Sequence, residues 1–197
     1  MKKRLFLCAM LMAFTLAKGQ DISVEKSIFG IQTGLLGIWG HNEFRMSNEL
    51  AFRSEIGFEV GVWSNSYFES SVYFLTPSLV IEPRWYYNMN KRVSKEKRID
   101  GNSANFLSLL IKYHPDWFVI SNQDVDMVSD ISIIPSWGLR RNLGQHFNFE
   151  TGAGIGYVYY FAKNAGYYEN EGEVALNILF KIGYGYFLVR GTGSQYE

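Results

Sequence analysis

The sequence predicts an all-β fold, one antiparallel sheet of up-and-down strands, and three observations carry that prediction. Apolar and polar residues alternate with period two through seven segments, the mark of strands with one apolar and one polar face. No segment has a helical period, and no Pro- or Ser-rich linker or internal repeat divides the chain. The third observation is composition. Residues are 47% hydrophobic and 17% aromatic, with a single cysteine among 197, a heavy apolar load for one medium domain without disulfides.

The chain opens with Lys2, Lys3 and Arg4, an apolar run from Leu5 to Ala17, and small residues in Ala17-Lys18-Gly19. This is the pattern of a cleaved secretory signal peptide over 1–19, too short in its apolar part to span a bilayer as a helix. The barrel domain is then expected over 20–197. Cys8 falls in the signal, and four bases leave with it (Lys2, Lys3, Arg4, Lys18), so 15 bases face 19 acids in the exported chain. A disulfide scaffold, a thiol nucleophile, a cysteine metal site and a strongly basic nucleic-acid binder are excluded. No later apolar run is long enough for a transmembrane helix.

The elements follow in order. Ile28–Trp39 opens the series noisily, with glycines at 30, 34 and 37. Leu50–Trp63 places Leu50, Phe52, Ile56, Phe58, Val60 and Val62 opposite Arg53, Glu55, Gly57, Glu59 and Gly61. Tyr73–Tyr87 sets Tyr73, Leu75, Leu79, Ile81, Trp85 and Tyr87 against Thr76, Ser78, Glu82 and Arg84. Phe106–Tyr113 sets Leu107, Leu109 and Ile111 against Ser108 and Lys112. Ile131–Arg140 sets Ile131, Ile133, Trp137 and Leu139 against Ser132, Ser136 and Arg140. Phe147–Phe161 and Val174–Leu188 close the series, with Glu150, Gly152, Gly154 and Gly156 on one polar face and Asn177, Lys181, Gly183 and Gly185 on the other. Seven strands are visible. Single-chain membrane barrels have even strand numbers, so eight are expected, the first lying either in Gln20–Ser27 or as a second strand hidden in Ile28–Phe44. Pro77, Pro83 and Pro135 each remove a ladder donor inside a strand, which predicts bulges there.

Alternation alone does not say which face is inside. A soluble lipocalin-like barrel hides its apolar face; a membrane barrel shows it to lipid. Three features favour the membrane: apolar bulk beyond what a small interior holds, glycines on the polar face where they give room to longer side chains, and aromatics near strand ends (Trp85 with Tyr87, Tyr157 with Tyr159, Tyr184 with Tyr186). The fold class is therefore a transmembrane β-barrel, apolar face outward, with a charged lumen.

Lys181-x-Gly183-x-x-Tyr186-x-Leu188 is similar to the C-terminal assembly signal of outer-membrane barrels. With the strand end Glu82-Pro83-Arg84-Trp85-Tyr86-Tyr87-Asn88, the exported chain resembles the small outer-membrane β-barrels of the OmpA/OmpX type. The resemblance implies residence in the cell outer membrane of a Gram-negative envelope, insertion by the barrel assembly machinery, and contact with outer-membrane lipid and lipopolysaccharide. It also places the last strand's end in the periplasm. Gly40–Asn48, Asn88–Asn105 and Arg141–His146 then become periplasmic turns, and Pro115–Asp130 and Asn164–Glu173 external loops.

The lumen set is Arg53, Glu55, Glu59, Glu82, Arg84, Lys112, Arg140, Glu150 and Lys181, a near-balanced group suited to a filled structural interior. The basic turn Lys91, Arg92, Lys95, Lys97, Arg98 reads as a solvated turn, or as contact with an acidic protein or phospholipid headgroups. Asp124 and Asp126 have the hard oxygens for a divalent cation, though Asp-x-Asp falls well short of a full ligand set; no cofactor is expected. The expected function is a structural or interaction role in the envelope, through a periplasmic or extracellular protein partner that the sequence does not specify, with no catalysis. Two alternatives stand beside it. One is a lipid A-modifying hydrolase or acyltransferase centred on His114, with Asp116, Ser121 and Ser129 nearby; the other is a narrow small-solute channel. His41 and His146 are expected on periplasmic turns.

Overall fold

A computed structural model describes residues 22–63, 71–123, 125 and 127–187. The signal segment, Leu188 with the tail after it, Asp124 and Asp126 lie outside the described residues. The strands are β1 (Ser27–Gly34), β2 (Gly37–Arg45), β3 (Leu50–Trp63), β4 (Val72–Trp85), β5 (Asn105–His114), β6 (Ile120–Ser121), β7 (Asp130–Leu143), β8 (Phe147–Tyr160) and β9 (Glu171–Phe187). All pairings are antiparallel, and because β1 pairs with β9 and β3 with β4, the sheet closes on itself in a ring.

Eight long strands make the ring, since Ile28–Phe44 holds two strands rather than one. Their hairpin turns at Leu35-Leu36, apolar residues that carry no turn signal, and the outward positions of β2 include Gly40 and Asn42. Both features blur the alternation. Two-residue β6 pairs with the end of β4 beyond the point where β5 leaves it.

The prolines sit in the ladder without bulges, contrary to the sequence expectation. Register with β3 is constant past Pro77 and Pro83, and the registers of β4 with β5 and of β7 with β8 are the same before and after Pro83 and Pro135; pairing merely lapses beside them. β5 pairs with β4 through Ile81 and again from Arg84, skipping Glu82 and Pro83. β8 likewise skips Ile134 and Pro135 of β7. Pro77 stands where β4 loses β5 and has not yet met β6. Pro77 aims its missing donor at no paired strand, while Pro83 and Pro135 each cost one rung of the ladder and leave the strand in place.

The registers also fix the width of the ring. Gly30 pairs with His41, His41 with Glu55, Glu55 with Val80, Val80 with Lys112, Lys112 with Ser132, Ser132 with Val158, and Val158 with Glu173. Gly30's own partner on β9 is Gly185, twelve residues beyond Glu173. With eight strands and that stagger, strand spacing and rise give a tilt of about 46° and a backbone diameter of roughly 18 Å. Such a ring is wide enough to take arginines, tyrosine and phenylalanine inside.

Two ends are distinct. The terminal end carries 46–49, 86–104 and 144–146; the loop end carries 35–36, 115–123, 127–129 and 161–170. At the terminal end the 86–104 segment is more than a solvated turn. Its short helix α1 (Met89–Val93) and a 3-10 turn at Asp100–Asn102 fold beneath the ring, where Val24, Ala51, Tyr86, Met89, Ala104 and Phe106 form a buried apolar cluster. Of the basic residues there, Lys91, Lys95, Lys97 and Arg98 stay exposed.

Inward glycines make close approach possible, chiefly for aromatic and neutral side chains and for neighbouring backbone rather than for the charged chains expected. A Cβ on Gly57 would meet the Ile38 carbonyl oxygen and lie 2.6 Å from Trp39 Cδ1; at Gly61 it would meet the Phe74 ring, and at Gly183 the Gln32 side chain. Gly57→Ala is expected to destabilise by about 1–3 kcal/mol, because backbone on the neighbouring strand cannot step aside. Urea unfolding with Gly40→Ala as control, where the nearest atom is 3.9 Å away, checks it.

Candidate functional site

Among the described residues the interior of the ring gathers the buried charged side chains, and strand alternation builds it. Arg53 and Glu55 on β3, Glu82 and Arg84 on β4, Arg140 on β7 and Glu150 on β8 are inward neighbours, and all are buried. Arg53 donates through Nε to Glu55 Oε1 (2.5 Å) and through Nη2 to Gln32 Oε1 (2.5 Å), and its Nη1 lies 3.4 Å from both Glu43 and Glu150. Arg84 donates to Glu82 at 2.7 Å, with Glu150 at 3.0 Å. Arg140 Nη1 is 3.3 Å from Glu43 Oε2 and from Glu150 Oε1. Three arginines of 0–1% exposure thus share Glu43 and Glu150, both at 0%.

Sequence reading missed Glu43, Gln32, Asn102 and Tyr86. Glu43 is the hub: it accepts from the Tyr86 hydroxyl (2.8 Å) and from Asn102 Nδ2 (2.5 Å) besides its arginines. Burial, and then the adjacent Glu43 carboxylate, push the Tyr86 phenol well above its ordinary range, so it donates as a neutral hydroxyl. Gln32 donates to Asn148 (2.7 Å) and Glu150 (3.0 Å). With Glu43 added, the sequence-derived group of five bases and four acids becomes five and five.

His41 stands elsewhere than its sequence position suggests. It lies in β2 pointing into the ring, buried against Gly30, not on a periplasmic turn. Its place in the sequence, two residues before Glu43 and two after Trp39, marks the inward face of β2 in hindsight. His146 does lie on the turn between β7 and β8, stacked on Tyr184 with ring centroids 5.2 Å apart.

Toward the loop end a second cluster forms. Lys112 Nζ donates to Glu59 Oε2 at 2.7 Å, and His114 stands between two carboxylates, Nδ1 at 2.9 Å from Asp130 and Nε2 at 3.4 Å from Glu59. Asp130 is the buried first residue of β7 rather than a loose loop carboxylate. Trp39 joins the two clusters: its indole N–H donates to Glu59 and to Ser78 (3.2 Å each), and the Lys181 ammonium lies 4.1 Å over its ring while donating to Glu55 at 2.6 Å. All nine sequence-derived residues therefore stand in one chain of contacts running from Asp130 to Tyr86.

In this arrangement the charged side chains pair with one another. A histidine acting on a hydroxyl needs one ring nitrogen free to take its proton; here both ring nitrogens face carboxylates, and the Ser121 hydroxyl donates instead to the Gln123 carbonyl. Because Asp130 and Glu59 lie at opposite ring nitrogens, they share no ion position. Among the described residues no group of three or more His, Cys, Asp or Glu is placed to hold a metal ion.

The outer wall is the converse. Ile31, Ile38, Ile56, Ile81, Ile133, Ile155, Leu176 and Ile178 are exposed along its middle, Ile178 by 78%. Exposed aromatics stand at both margins: Phe44, Trp85, Tyr87, Trp137, Phe147, Tyr184 and Tyr186 toward the terminal end, Tyr73 and Tyr157 toward the loop end. Compared with known proteins, the chain has no match among family models, curated proteins or solved structures.

Proposed function

We propose that the chain is an integral outer-membrane β-barrel whose interior is a packed charge network, with a structural or interaction role in the cell envelope. One observation carries the reading: a continuous wall of exposed aliphatic side chains, bordered by aromatics at both margins, around a buried charged interior. In water such a wall is an aggregation surface; in a bilayer it is the solvated face, with rings at the headgroup level. From Tyr73 to Trp85 on β4 the chain rises about 40 Å, or roughly 28 Å along the axis at the tilt above. That matches the height of a hydrocarbon core.

The inward polar residues suit the same reading. An exported chain that must cross to its membrane unfolded avoids long apolar runs, and alternation supplies the wall without one. Arginines with no solvent exposure in the ring's cross-section support a plugged interior over a conducting one. Fractionation tests the reading: the full-length chain should stay with carbonate-washed outer membrane and migrate on gels as a heat-modifiable band. Recovery as freely soluble periplasmic protein would refute it.

For activity, the paired state of His114 favours a non-catalytic role. His114→Ala is expected to leave the acyl pattern of lipid A unchanged in an expressing host. A lipid A mass spectrum that differs from the empty host and reverts with this substitution would replace this proposal with the enzymatic one.

A further inference from the structure

The outward positions of the eight long strands carry one charged residue among those described, Arg141 on β7, two positions beyond Leu139 and opposite Phe149 of β8. It stands at the terminal-end rim of the apolar wall. Its guanidinium is fixed by two neutral acceptors, the Arg140 carbonyl (2.7 Å from Nη1) and Asn105 Oδ1 (2.6 Å from Nη2). Asn105 Nδ2 in turn donates to the Tyr87 hydroxyl, which also accepts from the Trp137 indole at 2.9 Å. Through Arg98, which donates to the Gly144 carbonyl, and Asp100, which accepts from Asn142 beside Arg141, the same rim also holds Arg92 of α1. Arg92 is itself held by the Arg98 carbonyl at 2.8 and 3.1 Å. Asp100, an acid of the same segment, is committed to Arg98 through two bonds of 2.9 and 2.6 Å.

Every inward arginine and lysine of the lumen group has a carboxylate within 3.4 Å. Among the described residues Arg141 and Arg92 have none within ion-pair distance. Two like charges on one rim, partly buried and with no carboxylate in ion-pair distance, at the edge of an apolar wall and with a tyrosine and a tryptophan beside Arg141, are complementary to an anion that brings its own apolar tail.

We propose that Arg141 and Arg92 bind the phosphodiester headgroup of an anionic phospholipid in the leaflet at the terminal end, with Tyr87 and Trp137 lining the glycerol level. This rests on the reading of the wall as lipid-facing. Inorganic phosphate offers similar oxygens but no tail, so it should compete weakly.

The test folds residues 20–197 into phosphatidylcholine vesicles doped with brominated phosphatidylglycerol or brominated phosphatidylcholine and measures tryptophan quenching. Heat-modifiable mobility of the same samples reports insertion. Phosphatidylglycerol should be enriched about fivefold for each arginine engaged. The preference should vanish in Arg92→Gln/Arg141→Gln and survive in Lys91→Gln/Lys95→Gln/Lys97→Gln. It should also survive added inorganic phosphate at matched ionic strength, a measurement on the unmutated chain that stands if the arginine variant fails to fold. Insertion with equal quenching by both lipids overturns the site alone. Loss of the preference in the lysine variant makes it diffuse surface charge, and abolition by inorganic phosphate makes it a free-anion site; both also overturn the proposal. Failure to insert overturns the lipid-facing reading and the site with it.

Discussion

Glu43→Ala is expected to be among the most damaging single substitutions in the chain, lowering stability by about 3–5 kcal/mol, the usual cost of removing one partner from a buried ion pair. Glu43 lies at the centre of the ring with no exposure, and its two oxygens face Arg53, Arg84, Arg140, Tyr86 and Asn102. Truncation leaves three guanidiniums sharing fewer carboxylates and strands the Tyr86 hydroxyl and the Asn102 amide in a place water does not reach. It also unties the 86–104 segment, which reaches the ring interior through those two residues. Glu43→Gln keeps an acceptor for Tyr86 and should lose less. Glu49→Ala is the control: Glu49 is on an exposed turn where it accepts from the Trp85 indole and the Asn90 amide, exposed hydrogen bonds worth about 1 kcal/mol each at most. Urea midpoints in detergent or vesicles rank the three. If Glu43→Ala unfolds with Glu49→Ala, the network does not hold the ring together.

Ile178→Arg is expected to block assembly while Asn177→Ala, its inward neighbour, is tolerated. Ile178 lies in the middle of β9, opposite Ala153 in the middle of β8, on the aliphatic part of the wall. An arginine at that depth costs ~2–4 kcal/mol in a membrane barrel. In a water-facing sheet the same substitution would be nearly neutral, because the position is already exposed. Asn177 faces inward and donates to Ser136 Oγ across 3.4 Å, a long bond whose loss costs little. Refolding into vesicles, read by heat-modifiable mobility, gives the answer. An Ile178→Arg chain that inserts as well as wild type would mean that the wall does not face hydrocarbon.

Much of this was legible in the sequence because strand alternation is a local property. Arg53, Glu55, Glu82, Arg84, Arg140 and Glu150 each sit two residues from another inward residue, and period two sorted them to the interior without any knowledge of pairing. What failed was whatever depended on contacts distant in the chain. Glu43 was missed because β1 and β2 are joined at Leu35-Leu36 and β2 turns Gly40 and Asn42 outward, so neither face of that strand is cleanly apolar. Asn102 and Tyr86 were missed because their role arises only when a segment with no period folds under the ring. The constant register past Pro77, Pro83 and Pro135 was equally out of reach, since it depends on which neighbour would have used the missing donor. Arg141 was legible in principle: it follows Ile131, Ile133, Trp137 and Leu139 on the outward face, and only its assignment to a turn hid it.

Because the chain from residue 20 onward has no cysteine, a single cysteine placed at Ile178 or at Glu173 reports one position cleanly. With an environment-sensitive fluorophore at Ile178→Cys, the account predicts a blue-shifted emission on folding into vesicles and strong quenching by spin labels on the lipid acyl chains. The label at Glu173→Cys, near the loop end, should show little of either. Emission at position 178 that stays at its water-exposed wavelength, unaffected by acyl-chain quenchers, in protein whose circular dichroism shows a folded β-sheet would contradict the central claim that the apolar wall faces lipid.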